Sequence, residues 1–261
     1  MTEYTTVVPN IGMNTTPSEL FMYIHGFGVG PKGIKYSFMQ EHLAPIECET
    51  VAWHQPTFAE TKLSHSIDQV EKLLFERFKS SGKKWNIVGS STGALIALNV
   101  ARRHPECINK LLLLSPAIDL TAYFQTAALE HSWSQHDAAA ADKFQPNCTG
   151  DGSGSLKYEY LEDMISSGTG VAPPPCVPTY VIHTESDLLV PVEGCRAWCE
   201  RHALSTGGFV HHARFFPPTD CQGNILDHGL YHFAKPDAVT DITFAGVLKS
   251  WFLGYESSET L

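Results

Sequence analysis

The chain has 261 residues, 43% of them hydrophobic, and carries a formal net charge of −10. That length buries a substantial core as one large domain or two small ones. The acidic balance, with no basic block to offset it, argues against a nucleic-acid binder, which long-range repulsion would disfavour. No apolar stretch approaches the length needed to cross a bilayer. The start, "MTEYTTVVPNIGMN", shows neither a basic region followed by an apolar run nor an Arg-rich presequence, so a cytoplasmic protein is expected. The seven cysteines are scattered and odd in number. They read as buried free thiols in a reducing compartment, Cys195 and Cys199 lying one helical turn apart.

Residues 4–12 offer an antiparallel edge, and "LFMYI" (20–24) a buried strand followed by the loop "HGFGVGPKG". A helix is expected through "IKYSFMQEHLA" and a strand at "CETVAW" (48–53). Ile67, Val70, Leu73, Leu74 and Phe78 fall on one face of the next helix, which Gly82 ends. "WNIVG" (85–89) is a strand, "TGALIALNVARRHP" a helix stopped at Pro105, and "KLLLLSPAI" (110–118) a strand again. No buried strand is expected in residues 119–175, which carry aromatic and Ala-rich helical pieces around "NCTGDGSGS". They read as a cap or lid inserted into a core formed by 1–118 and 176–261. The rhythm resumes with "PTYVIHTESD" (178–187), the helix "PVEGCRAWCERHAL", the strand "FVHHARFF" (209–216) and a closing helix. Strands alternating with helices predict an α/β fold with a mostly parallel sheet flanked by helices.

Two adjacent serines stand at the end of "WNIVG". Only one makes a Gly-x-Ser-x-Gly motif: Gly89-Ser90-Ser91-Thr92-Gly93, with Ser91 in the middle. A serine on a sharp strand-to-helix turn needs small neighbours two residues to either side, so that the backbone turns without a clash. The turn lifts Oγ above the sheet and sets the next amide at a helix N-terminus, where negative charge is favoured. An apolar strand before the motif and an apolar helix after it supply that context.

With "HGFG" after a strand, this elbow, a cap-length insertion, "ESDLLVP", and "LDHGLYHF" before the last helix, the chain resembles the serine α/β-hydrolases. It is most similar to small esterase-like members with a Gly-Ser-Ser-x-Gly elbow. The resemblance implies Ser91 as nucleophile and the Phe27 and Thr92 amides as oxyanion donors. It implies Asp187 as the triad acid, with Asp119 as the rival; Glu185 reads as a solvated loop carboxylate. His228 is favoured as base over His232, and the order Ser91, Asp187, His228 is the one these hydrolases keep. His25 is expected to pack beneath its loop, and His211 and His212 to be structural. The pair His228 and His232 has metal-ligand spacing but no third ligand with a matching signature, and neither metal nor cofactor is expected.

The implied reaction is cleavage of a small-molecule carboxylic ester by a Ser-His-Asp triad through an acyl-enzyme. The preferred substrate would carry a short or medium acyl group and an apolar leaving group, selected by residues 119–175. A thioesterase is the nearest alternative, and a non-catalytic small-molecule binding protein is the alternative of a different class. The oligomeric state is not legible in the sequence.

Overall fold

The computed structural model describes residues 5–7, 19–26, 33–43, 48–53, 62–130, 158–219, 228, 230 and 243–254. Within them, β1 (Thr5–Val7), β2 (Glu19–Ile24), β3 (Cys48–Trp53), β4 (Trp85–Ser90), β5 (Ile108–Leu114), β6 (Thr179–Thr184) and β7 (Val210–Phe216) form one sheet. Its order is β1-β3-β2-β4-β5-β6-β7. β1 pairs antiparallel with β3, as the reading of residues 4–12 expects, and every other pairing is parallel.

A parallel strand is covered on both faces, which is why these strands appear in the sequence as unbroken apolar runs. The side chains alternate. Leu20, Met22 and Ile24 of β2, Trp85 and Ile87 of β4, and Leu111 and Leu113 of β5 enter one core. Phe21 and Tyr23, Val88, and Leu112 and Leu114 enter the other. Helices α2 (Leu63–Ser81) and α3 (Thr92–Arg103) cover the first face. Helix α1 (Ile34–Leu43) covers the second, with α7 (Phe244–Val247) and the π-helical turn Leu248–Phe252 that continues it. Gly82 ends α2 in the left-handed conformation at φ 69°, its amide donating to the Phe78 carbonyl.

Helices α4 (Leu120–Glu130) and α5 (Tyr158–Ser167) fall in the stretch read as an insertion. Leu120, Phe124, Tyr160, Leu161 and Met164 are buried in the same core as α2 and α3. Asp163 of α5 accepts from the amide and hydroxyl of Ser64, so α5 is pinned to the start of α2. The "NCTGDGSGS" segment between them lies outside the described residues. Helix α6 (Val192–Arg201) buries Cys195, Trp198 and Cys199, and both thiols are free. The neighbouring Cys199 thiol, and then burial, push the Cys195 thiol up, away from thiolate. No described helix is long and apolar enough to cross a membrane.

The chain leaves β2 for β3 on one side, then crosses over β2 to reach β4 on the other. The carboxyl ends of β2 and β4 therefore meet at the point where the strand order reverses. In open α/β sheets that crevice is where ligands bind.

Candidate active site

Ser91 follows the last residue of β4 and is the N-cap of α3, with φ 55° and ψ −121°. A side chain at positive φ crowds its own backbone, and holding such a residue costs about 1–3 kcal/mol unless its surroundings fix it. Here three hydrogen bonds fix it. The Ser91 amide donates to the Leu114 carbonyl at 2.9 Å, and the Ser91 carbonyl accepts from Ala94 at 3.0 Å and Ala117 at 3.3 Å. The side chain does not cap the helix, which leaves Oγ available on the surface of the crevice.

The glycines of the elbow have separate steric causes. A Cβ on Gly93 would stand 2.1 Å from the Ile24 carbonyl oxygen, so α3 can start against the end of β2 only without one. On Gly89 it would meet the Ala94 Cα at 2.7 Å. Gly26, just past β2, has the same relation to Ser91, a Cβ there falling 2.8 Å from that of the serine.

Ser91 Oγ lies 2.9 Å from His228 Nε2, across 137 residues of chain. His228 Nδ1 lies 2.6 Å from Asp187 Oδ2. The other oxygen of Asp187 accepts from the Leu189 amide at 2.9 Å and the Val190 amide at 2.8 Å. The Asp187 side chain is fully buried while His228 keeps 17% of its surface. A buried anion with all three contacts made by donors is well satisfied. It holds the imidazole with its proton on Nδ1 and leaves the Nε2 lone pair to face the hydroxyl.

His183, inside β6, is also buried, its Nδ1 3.8 Å from Asp187 Oδ2. That nitrogen lies 2.8 Å from the Thr184 amide and 3.1 Å from the Thr184 carbonyl oxygen, so its hydrogen-bonding contacts are with Thr184 and not with the carboxylate. Burial lowers the His183 pKa, with the charge of Asp187 opposing it. His183 is thus a neutral wall behind the acid, and nothing in the sequence singles it out.

The other sequence candidates fall as follows. Asp119 bridges to Val171 and accepts from the Ala122 amide at 2.9 Å, capping α4. Glu185 pairs with Arg196 at 2.9 Å on the surface. His25 is buried, its Nδ1 2.8 Å from the Gly26 carbonyl oxygen. His211 and His212 are exposed on β7. Thr92 begins α3, so its amide has no partner within the helix. Phe27 and His232 lie outside the described residues.

A second cluster, His104, Glu106 and Cys107, brings its donor atoms within 4.8 Å of one another. Both ring nitrogens of His104 face carboxylates, Glu71 at 2.8 Å and Glu106 at 3.1 Å. These contacts, Glu71 first, raise its pKa and favour imidazolium, which has no lone pair for a metal.

The family model "Putative esterase" matches residues 38–150, a span that includes Ser91 and ends before Asp187 and His228. Three solved structures cover nearly the whole chain. The ferulic acid complex of Est1E from Butyrivibrio proteoclasticus is 15% identical with a TM-score of 0.66, over 97% of this chain and 94% of its own. Alpha/beta hydrolase domain-containing protein 10 from mouse is 14% identical with a TM-score of 0.63, over 91% and 94%. The chain has the α/β-hydrolase fold. A thermophilic esterase from Thermogutta terrifontis, in a malate-bound structure, shares this α/β-hydrolase architecture at 14% identity and a TM-score of 0.55, over 97% and 98%. No curated protein matches by sequence. Along the chain Ser91 follows β4, Asp187 follows β6 and His228 follows β7.

Proposed function

We propose that the protein is a serine hydrolase that cleaves a carboxylic ester through an acyl-enzyme, with Ser91, His228 and Asp187 as its triad. The observation that carries this reading is the continuous chain from Ser91 Oγ to His228 to buried Asp187, at 2.9 and 2.6 Å. The match to an esterase family model and the esterases among the structural neighbours support ester hydrolysis as the reaction class.

In this mechanism Oγ attacks the ester carbonyl carbon while His228 Nε2 takes its proton. The carbonyl π electrons move to oxygen, and the amides of Thr92 and Phe27 receive that charge. Each such donor contributes roughly 3 kcal/mol at the transition state. Asp187 stabilises the imidazolium without taking its proton. Collapse expels the alcohol, protonated by His228, and leaves the acyl group on Ser91. A water, deprotonated by the same nitrogen, then releases the acid and restores the serine. Residues 119–175 act as the specificity cap, contributing through the surfaces of α4 and α5 that do not enter the core.

Intact-protein mass after fluorophosphonate treatment tests the nucleophile. One adduct on the wild type and on Ser90→Ala, absent from Ser91→Ala, is expected. An adduct that survives Ser91→Ala would refute it. Turnover is then measured on esters of graded acyl length. A hydroxycinnamoyl ester belongs in that panel, because ferulic acid is the ligand bound to Est1E. A maximum at short or medium acyl groups is expected, and one at long-chain lipids would contradict the substrate proposal.

A further inference from the structure

Among the described residues, the non-glycines at positive φ are Ser91 at 55°, Ser115 at 42° and Leu230 at 47°. The first is the elbow. The second follows β5, its amide donating to the Ile182 carbonyl at 2.8 Å. Leu230 lies in no helix or strand, two residues beyond His228, and the triad makes no use of it. A glycine takes a left-handed conformation freely, whereas a leucine there crowds its own backbone. The side chain must therefore be what the position requires. It is fully buried, in the core shared by α1, α7 and the π-helical turn, with Phe216, Val247 and Leu248. The strain of a left-handed leucine and the gain from burying its side chain are of the same order. The leucine thus adds little net stability, and its main effect is to fix the chain in place.

We infer that Leu230 is a positioning residue, its side chain anchoring the chain beside His228 in the core and so holding the imidazole against Ser91. His228 has no helix or strand of its own to hold it, and 17% of its side chain is exposed. Its ring is tied to Asp187 through Nδ1 at 2.6 Å, and that bond alone leaves the ring free to pivot about the carboxylate. The 2.9 Å approach of Nε2 to Ser91 Oγ needs a second fixed point. Two residues of chain reach at most about 7 Å, so a leucine held in the core limits how far His228 can move. On the other side Phe216, the last residue of β7, is buried in the same core. The chain is therefore fixed in one core both before and after the histidine.

This inference rests on the reading of Ser91 and His228 as nucleophile and base, and the experiment separates the two. Leu230→Ala, Leu230→Gly, Leu230→Met, Leu248→Ala, Ser91→Ala and His228→Ala are compared on one responsive ester, well below their melting temperatures. Turnover is referred to folded protein by circular dichroism, and the rate of fluorophosphonate labelling is measured beside it. Leu230→Ala should lower kcat roughly tenfold to a hundredfold, the effect of moving a reacting group by about 1 Å. KM should stay within about threefold, because substrate binding is untouched. The labelling rate should fall with kcat, since both steps need His228 to take the proton of Ser91. Leu230→Gly, relieved of the strain, should melt above Leu230→Ala and yet turn over no faster. Leu230→Met, which keeps the volume of the anchor, should recover most of the rate. Leu248→Ala removes a leucine from the same core away from His228, and should lower the melting temperature while leaving kcat near wild type.

A wild-type kcat in Leu230→Ala or Leu230→Gly, an unchanged labelling rate, or an equal kcat loss in Leu248→Ala would overturn the inference. If Leu230→Ala does not fold, Leu230→Gly decides by the same readouts. Turnover surviving in Ser91→Ala or His228→Ala would instead sink the triad reading.

Discussion

Asp187→Asn is the substitution whose outcome the geometry constrains most tightly. The asparagine has two ways to lie. With its oxygen in the place of Oδ1 it keeps the amides of Leu189 and Val190, at 2.9 and 2.8 Å. The flipped form points an NH2 at two donors and loses both bonds, so the first orientation wins. It sets the NH2 where Oδ2 stood, 2.6 Å from His228 Nδ1. That nitrogen must now accept, so the ring proton moves to Nε2, and Nε2 can only donate to Ser91 Oγ. The base is lost although every heavy atom is nearly in place. A triad aspartate-to-asparagine change of this kind lowers kcat by roughly ten-thousandfold, or about 5 kcal/mol at ~1.4 kcal/mol per decade. The assay is kcat on a responsive ester and the fluorophosphonate labelling rate, with the melting temperature as control. Activity within tenfold of wild type in a variant that melts normally would refute the tautomer argument and the assignment of Asp187.

Three further outcomes follow from the same coordinates. Gly93→Ala should destabilise the fold by about 3 kcal/mol or more, since its Cβ would meet backbone oxygen at 2.1 Å and neither β2 nor α3 can yield cheaply; denaturant titration measures it. Gly82→Ala should cost only about 1 kcal/mol, the left-handed backbone alone, because nothing stands within 4 Å of the added carbon; the same titration checks the contrast. His104→Ala should destabilise by up to about 1 kcal/mol, and more at low pH than at high. The Glu71 and Glu106 carboxylates raise the folded pKa of His104. Its contribution is therefore complete below the ordinary imidazole range and disappears as pH rises through the raised value. Melting curves at about pH 6 and about pH 9 should show the difference shrink, and added salt should shrink it too. A constant difference would mean that His104 acts by packing on Phe75, whose ring is 5.2 Å away.

The sheet is legible in the sequence because parallel strands covered on both faces must be apolar throughout, as "LFMYI" and "WNIVG" are. Strand ends are less so. β5 begins at Ile108, two residues before the expected start at Lys110, because Ile108 pairs with Trp85 of β4 across a register shift that leaves Asn109 without a Cα partner. It ends at Leu114 because Ser115 turns to φ 42°. β7 was recognisable although four consecutive residues, His211 to Arg214, are exposed. An edge strand tolerates such residues, and they discourage pairing with another chain. The π-helical turn over Leu248–Phe252 has no sequence signal at all. At the site, Ser91 was legible because two glycines must flank it for steric reasons. Asp187 and His228 were legible only through family resemblance and chain order. The amides that fix Asp187, the neutral His183 behind it and the Lys35–Ser90 bond depend on tertiary placement, which no spacing encodes.

The steric and electrostatic demands on the elbow converge on a few residues. Gly93 without a Cβ lets α3 begin against the carbonyls of Ile24 and His25, which sets the helix N-terminus beside the end of β2. That closeness leaves Ser91 no ordinary backbone conformation, so it is held at φ 55°. The held conformation frees Oγ from capping α3 and turns it to His228. Strain, close packing and reactivity are then one arrangement, and a change that relaxes the first should weaken the last even where the fold survives. Stability and turnover should accordingly fall together at Gly89 and Gly93, where the strain arises.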